Sequence, residues 1–239
     1  MERILIVAAH PDDEVLGCGG TVARHVYEGD EVRVLFLAEG VTSRDQKRQT
    51  SKRAKEVDEL RQTAGKVSRF LGAKPPQFAG FPDNRMDSLQ LLDVVKVVEA
   101  CVHEVRPTII YTHYHGDLNV DHRIAFQAVL TACRPIPKTL VRAIYSFECL
   151  SSTEWAGGHL GCAFAPHRFV DISTFLEKKI EAMGFYESEM RPFPHPRSLE
   201  SMRALALHRG ACCGVMAAEA FEVDREVVRY DDAARETVA

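Results

Sequence analysis

The sequence predicts an α/β fold: a Rossmann-like, mainly parallel sheet with helices on both faces and an irregular C-terminal cap. Three observations carry this expectation. The run RILIVAA at 3–9 is apolar and β-branched without alternation, as in a strand buried on both faces. Strand and helix signals then alternate as β-α-β-α-α-β-α-β, the pattern of crossover-connected parallel strands. A hydrophobic fraction of 46% with 27% charged residues can fill one sizeable core.

Each element follows from local pattern. After the first strand, 15–28 reads as a helix stopped by Gly29, and EVRVLFLA at 31–38 as a second strand. A charged helix over 46–71 ends at Gly72. A helix over 88–104 leads to the strand PTIIYT at 107–112. A helix over 120–133 stops at Arg134-Pro135, and 141–147 forms a further strand. Beyond 151 the pattern weakens to helices over 173–189 and 198–210, a proline-rich segment at 191–196, and a last strand over 221–229. With no repeat or low-complexity linker, 239 residues suit one domain over 1–239.

Composition narrows the partners. A net charge of -4 without a basic stripe argues against nucleic acid. The basic cluster Arg44, Lys47, Arg48, Lys52, Arg53 and Lys55 reads first as a solvated helix face, and second as a partner for an anionic substrate. The apolar run 4–9 is too short for a signal-peptide core or a membrane span, so no membrane insertion and a cytoplasmic location are expected. Seven scattered cysteines with no CxxC pair fit a reduced protein better than a disulfide framework. Homo-oligomerisation stays open.

The chemistry lies at two strand ends. The first strand runs into His10-Pro11-Asp12-Asp13-Glu14. Acidic residues suit a helix start, but the cap preference explains neither the histidine nor three acids in a row. The third strand runs into His113-Tyr114-His115-Gly116-Asp117, with Asp121-His122 opening the next helix. Open parallel sheets bind ligands at the carboxyl ends of their strands. Two histidines and a carboxylate there would hold a divalent metal with a position left open, the pattern of a catalytic zinc site.

AHPDDE at 9–14 with Asp121-His122 after a later strand resembles the PIG-L/LmbE-like zinc deacetylases of N-acetyl sugars and related amides. The resemblance extends through Gly17-Cys18-Gly19-Gly20, Phe81-Pro82-Asp83, the segment 117–123 (DLNVDHR) and 218–221 (AEAF). It implies zinc, with Fe2+ or another divalent ion as the alternative, held by His10, Asp13 and His122. Asp12 would be the general base, activating water whose pKa the metal lowers toward about 7. Many members carry His-Pro-Asp-His at the second cluster, where the first histidine helps stabilise the oxyanion. Asn119 stands at that place here, so the donor is sought in His115 first, then His113 or the Asn119 amide. Asp121 would orient the histidine that fills this role.

The implied function is removal of an N-acetyl or other N-acyl group from an amino sugar or nucleotide-linked amino sugar. Arg61, Asp83, Asn84, Arg85, Asn119, His195, Arg197 and Arg209 are the candidate substrate contacts, with Arg85, Arg197 and Arg209 as cations for a phosphate. Arg123, Glu154 and Trp155 could add to them. Two other enzyme classes share parts of this pattern. A non-haem iron oxygenase could use the same ligand triad but usually sits on an all-β scaffold. A dinucleotide-binding oxidoreductase lacks its G-x-G-x-x-G turn, and the carboxylates at 12–14 would repel a pyrophosphate. A non-catalytic sugar-binding relative is the third alternative, and metal content without hydrolysis would mark it.

Overall fold

The computed structural model describes residues 1–45, 48, 50–137, 139–157 and 163–228, with the backbone alone at residue 50. A sheet of order β3-β2-β1-β4-β5-β7-β6 runs through them. Its strands are β1 (Arg3–Ala8), β2 (Glu31–Ala38), β3 (Gln77–Phe81), β4 (Ile109–His113), β5 (Ala143–Phe147), β6 (Arg168–Asp171) and β7 (Ala218–Glu226). β1 to β5 pair in parallel, and β7 lies antiparallel between β5 and β6. The helices are α1 (Asp13–Tyr27), α2 (Thr50–Leu71), α3 (Leu91–Val105), α4 (Val120–Ala132), α5 (Leu176–Gly184) and α6 (Leu199–Cys213).

The β1 side chains show why the unbroken apolar run is needed. Ile4, Ile6 and Ala8 enter a core built with α1, α2, α5 and α6, while Leu5 and Val7 enter a second core under α3 and α4. Covering both faces is what a parallel strand requires. The expected mainly parallel, Rossmann-like sheet is therefore observed, and the C-terminal region adds to it the expected last strand, β7, and one further strand, β6.

Several boundaries differ from the sequence expectation. β3 was not expected: Pro75-Pro76 and Gly80, at φ 75°, mask a half-buried edge strand. β6 is a four-residue edge strand, too short to carry a pattern. The helix expected over 173–189 spans only Leu176–Gly184, after which Tyr186 turns inward to donate its hydroxyl to Glu14 Oε1 at 2.6 Å. β7 starts three residues before 221, because Ala218 and Ala220 are small enough to pack fully inside. The helix expected from 46 begins at Thr50, with 46, 47 and 49 outside the described residues, as Arg229 is at the far end of the last strand.

α1 departs from helical geometry at Cys18, with φ -148°. The break frees backbone donors of the next turn, and Glu219 of β7 accepts both Gly20 N–H (2.9 Å) and Thr21 N–H (2.6 Å). Lys179 of α5 donates to Glu219 Oε1 at 2.6 Å and to the Leu16 carbonyl at 2.9 Å. Gly17 lets the helix meet the sheet, since a Cβ there would lie 2.2 Å from the Phe147 ring. Thus the GCGG and AEAF segments, far apart in sequence, serve one joint. Glu219→Ala would strand a buried ammonium and two amides, so a loss of about 3–5 kcal/mol in urea unfolding is expected. A loss below about 1 kcal/mol would show that solvent or a neighbour replaces the carboxylate.

Candidate active site

The site occupies the point where strand order reverses, between the carboxyl ends of β1 and β4. Leaving β1, the chain presents His10 and Asp12 and enters α1 at Asp13. Leaving β4, it presents His113 and Asp117, and α4 begins two residues before His122. Asn119 caps α4 by accepting the Asp121 N–H at 2.8 Å, which brings Asp121 and His122 into the first turn.

Asp13 is the hub. Its Oδ2 lies 3.3 Å from His10 Nδ1, 3.4 Å from His122 Nε2 and 3.4 Å from His113 Nε2, and it accepts the His10 N–H at 2.8 Å. Its Oδ1 accepts the Cys149 thiol at 3.3 Å. Burial alone would raise this carboxyl, but His122, His113 and His10 hold it well below the ordinary range. His10, Asp13 and His122 each offer a ligand atom within 4.8 Å of the others, so the structure brings together the three expected ligands.

Carboxylates behind the imidazoles set their orientation. Asp117 Oδ1 stands 3.1 Å from His122 Nδ1, off the line of an ideal hydrogen bond. Asp117 is itself held by Ser152, by Thr153 Oγ1 at 2.6 Å and by the Asn119 N–H at 2.8 Å. His10 Nε2 faces Asp121 Oδ2 at 3.1 Å and Asp83 Oδ1 at 3.2 Å. Asp121 in turn accepts the Asn84 and Met86 N–H groups at 2.7 and 2.9 Å. Desolvation opposes a charge on His122, yet Asp13 and Asp117 raise it to about 9.

This donor set fits a divalent cation. His122 Nε2 is buried without a hydrogen-bond partner and faces Asp13, as an imidazole nitrogen kept for a metal would be. The surrounding carboxylates, Asp13 and Asp117, favour positive charge at His122. Neutral nitrogens on histidine with one carboxylate also match zinc or ferrous iron chemistry.

Asp12 differs from Asp13 in its backbone and in its partners. It is 1% exposed and adopts φ 120°, a conformation that costs a non-glycine residue about 1–3 kcal/mol. It stands at the N-cap position of α1, yet its side chain makes no capping bond. Glu14 Oε2 accepts the Asp12 N–H at 2.9 Å, and Arg197 Nη1 donates to Asp12 Oδ2 at 2.9 Å. Burial lifts its pKa to about 8, against the pull of Arg197.

Other expected site residues lie elsewhere. His115 is exposed, with its ring 4.4 Å from that of Tyr114 and 5.5 Å from that of Phe126, because it sits inside the turn that the Asp117 N–H closes on the Tyr114 carbonyl at 3.3 Å. Asp121 therefore orients His10 and not His115. Asn119 commits its amide to the α4 cap and to Asn84 Oδ1 at 2.8 Å. His113 stacks on His122 at 3.8 Å, and its Nε2 accepts the Ala9 N–H at 2.8 Å, which requires the neutral ring. Burial and the neighbouring His122 agree with that, lowering its pKa to about 3.

The arginines divide sharply. Arg61 stacks over Phe78 at 5.4 Å, on the α2–β3 side of the sheet. Arg209 is paired with Glu148 by two bonds of 2.7 Å. Arg197 reaches Asp12 and Ser151 Oγ, at 2.9 and 2.7 Å. Two of the three cations expected to read a phosphate are thus occupied by carboxylates. Arg85 is half-buried beside Asn84 and Asp83, at the edge of the site. His195 accepts the Arg197 N–H at 3.0 Å. In the basic cluster, Arg44 pairs with Glu189, Arg48 with Glu39, Lys52 and Arg53 with Asp45, and Lys55 with Glu59, which favours the helix-face reading; Lys47 lies outside the described residues.

Sequence reasoning missed Asp117, Cys149, Ser151 and Glu189 as parts of the site. Asp117 alone had a signal, five residues before His122 in the DLNVDHR segment.

A buried two-histidine, one-carboxylate cluster with a separate clamped aspartate, at the switch point of a parallel sheet, makes a candidate metal centre. Comparison with known proteins makes the class specific. Residues 5–133 match the model of the PIG-L family, described as GlcNAc-PI de-N-acetylase. The chain belongs to the PIG-L family. A probable N-acetyl-alpha-D-glucosaminyl L-malate deacetylase 2 of Bacillus cereus is 27% identical over 193 residues, 79% of this chain and 84% of that protein. An uncharacterized deacetylase of Escherichia coli K12, YaiS, is 29% identical over 142 residues, 57% of this chain and 71% of its own. Among solved structures, the 4-carboxy-2-hydroxymuconate hydratase GalB of Pseudomonas putida KT2440 superimposes with TM-score 0.76 at 23% identity, covering 97% of this chain and 99% of that one. The N,N'-diacetylchitobiose deacetylase of Pyrococcus horikoshii gives 0.73 at 19% identity, covering 97% and 88%. A hydratase and a deacetylase share this fold, so function has to be argued from the site.

Proposed function

We propose that this chain is a metal-dependent N-deacylase that removes an acetyl group from an amino sugar. The observation that carries the reading is the pairing of a ligand cluster, His10, Asp13 and His122, with an adjacent buried carboxyl, Asp12, that belongs to no ligand group and is gripped by Arg197. Relatives named as sugar deacetylases support the substrate class.

His10, Asp13 and His122 would hold the metal, zinc in the first instance. When bound, it supplies Lewis acidity toward an amide carbonyl and toward water. Asp117 and Asp121 keep the two imidazoles aimed at that position. Asp12 accepts the proton of the attacking water at Oδ1, the oxygen that Arg197 leaves, and returns it to the departing amine nitrogen. A carboxyl whose pKa is raised to about 8 by burial suits both halves of that transfer near neutrality. Arg197 fixes the carboxylate's orientation and does not read the substrate's phosphate. The proposal is accordingly an N-acyl amino sugar without a required nucleotide.

The test is a panel of N-acyl amino sugars and simple N-acyl amines incubated with the metal-loaded protein, read as free amine and acetate in equal amounts. Release from amino sugars in preference to simple amines is expected. Metal content with no release from any member would leave a sugar-binding protein, and product formation that depends on oxygen would point to the iron reading.

A further inference from the structure

Of the three acids that follow His10, the proposed chemistry uses Asp12 and Asp13 and leaves Glu14 without a part. Glu14 is buried, belongs to no ligand group among the described residues, and stands in the first turn of α1. Both its oxygens are committed. Oε2 accepts the Asp12 N–H at 2.9 Å, and Oε1 accepts the Tyr186 hydroxyl at 2.6 Å. The first of these bonds is half of a capping box. In the full motif the residue before the helix caps the first turn with its side chain, while an acid inside that turn bonds back to its N–H. Here the acid sits two residues on instead of three, and the Asp12 side chain makes no capping bond. The consequence is chemical. A carboxylate that caps a helix spends its oxygens on N–H groups, whereas Arg197 takes Asp12 Oδ2 and no cap takes Oδ1.

Holding the peptide also fixes direction. Asp12 has φ 120° and ψ -30°, a conformation that persists in a non-glycine residue only where the surroundings impose it. Glu14 acts on the Asp12 nitrogen, and the Val15 and Leu16 N–H groups act on the Asp12 carbonyl, at 3.0 and 2.9 Å. Tyr186 belongs to the turn that follows α5, in which the Glu189 N–H bonds the Tyr186 carbonyl at 2.9 Å. Glu189 Oε2 in turn lies 3.8 Å from Arg197 Nη1. The turn 186–189 therefore reaches Asp12 twice, through Glu14 at its backbone and through Arg197 at its carboxylate.

Resting on the reading of Asp12 as the proton acceptor, we propose that Glu14, fastened by Tyr186, is a positioning residue for that base. It takes over the bond to the start of the helix and sets the backbone direction from which the Asp12 carboxylate leaves. Glu14 carries no proton in the reaction and takes no part in holding the metal. Its effect on the reaction runs through Asp12 alone.

Tyr186→Phe tests this with the least disturbance, since it deletes one hydroxyl and leaves a buried ring in place. In the metal-loaded protein kcat should fall about 10-fold with KM and metal content unchanged, the scale of a misplaced catalytic group. Glu14→Gln keeps an oxygen for the Asp12 N–H and should retain more kcat than Glu14→Ala. The decisive comparison is a double-mutant cycle. In an Asp12→Asn background Tyr186→Phe should change kcat by less than about 2-fold, because the group it positions is already gone. A merely structural tie would lower kcat by the same factor in both backgrounds, or lower urea stability and leave kcat alone, and either result overturns the proposal. Hydrogen exchange at the Asp12 amide, followed by NMR, needs no turnover. Tyr186→Phe should speed that exchange by about 10-fold while the Val15 and Leu16 amides keep their wild-type rates. Unchanged exchange at Asp12 overturns the proposal as well. If the wild type hydrolyses no acylated sugar, the deacylase reading fails by itself, and the exchange rates still decide whether Tyr186 and Glu14 hold the Asp12 peptide.

Discussion

Asp12→Asn is expected to keep the metal and lose about 10²-fold or more in kcat, the usual scale for a missing general base. The substitution is well matched to its place. Asparagine has the same size, is among the few residues that tolerate positive φ, and keeps a carbonyl oxygen for Arg197 Nη1. It lacks only the capacity to take a proton. Asp13→Asn should lose the metal and turnover with it, because its Oδ2 stands within 3.4 Å of three imidazole nitrogens and its charge holds the cluster together. Elemental analysis alongside turnover separates the two. If Asp12→Asn loses metal and Asp13→Asn retains it, the roles of the neighbours are exchanged.

The second large effect is on the metal itself. His10→Ala, Asp13→Ala and His122→Ala should each lower affinity by more than about 10²-fold, since even removing a partner behind a ligand costs about 10–100-fold. Asp117→Asn belongs to that smaller class, because it touches His122 only from behind. The pH dependence has a definite sign. Without metal, His122 is raised to about 9, so at neutral pH the ring carries a proton that the metal must displace. Affinity should climb as pH rises toward 9 and weaken steadily below it, with protons released on binding in calorimetry. Full occupancy in all three alanine variants would falsify the ligand assignment.

Much of this was legible in the chain. The run from Arg3 to Ala8 could only be a strand covered on both faces, and β2 has the expected bounds, because unbroken β-branched segments leave no other way to bury themselves. His10, Asp13 and His122 were legible because each lies within a few residues of a strand end or helix start. Local structure there nearly determines position, and the sheet brings the two ends together.

What tertiary structure decided is direction. The turn closed by the Asp117 N–H on the Tyr114 carbonyl carries His115 on its exposed side, and Asp121 is left facing His10. Arg197 and Arg209 look alike as cations in a C-terminal segment. One clamps Asp12 and the other Glu148, and only the packing of α5 and β7 against α1, and of α6 against α5 and β7, makes that distinction. Glu219 and the glycines of α1 read as scattered family residues until they meet across the sheet at the Cys18 break. Strand ends and ligand types are local properties, set by burial and backbone geometry over a few residues. Which carboxylate a buried cation meets is a long-range outcome: desolvation forces each charge to find a partner, and the chain's path alone determines which is within reach.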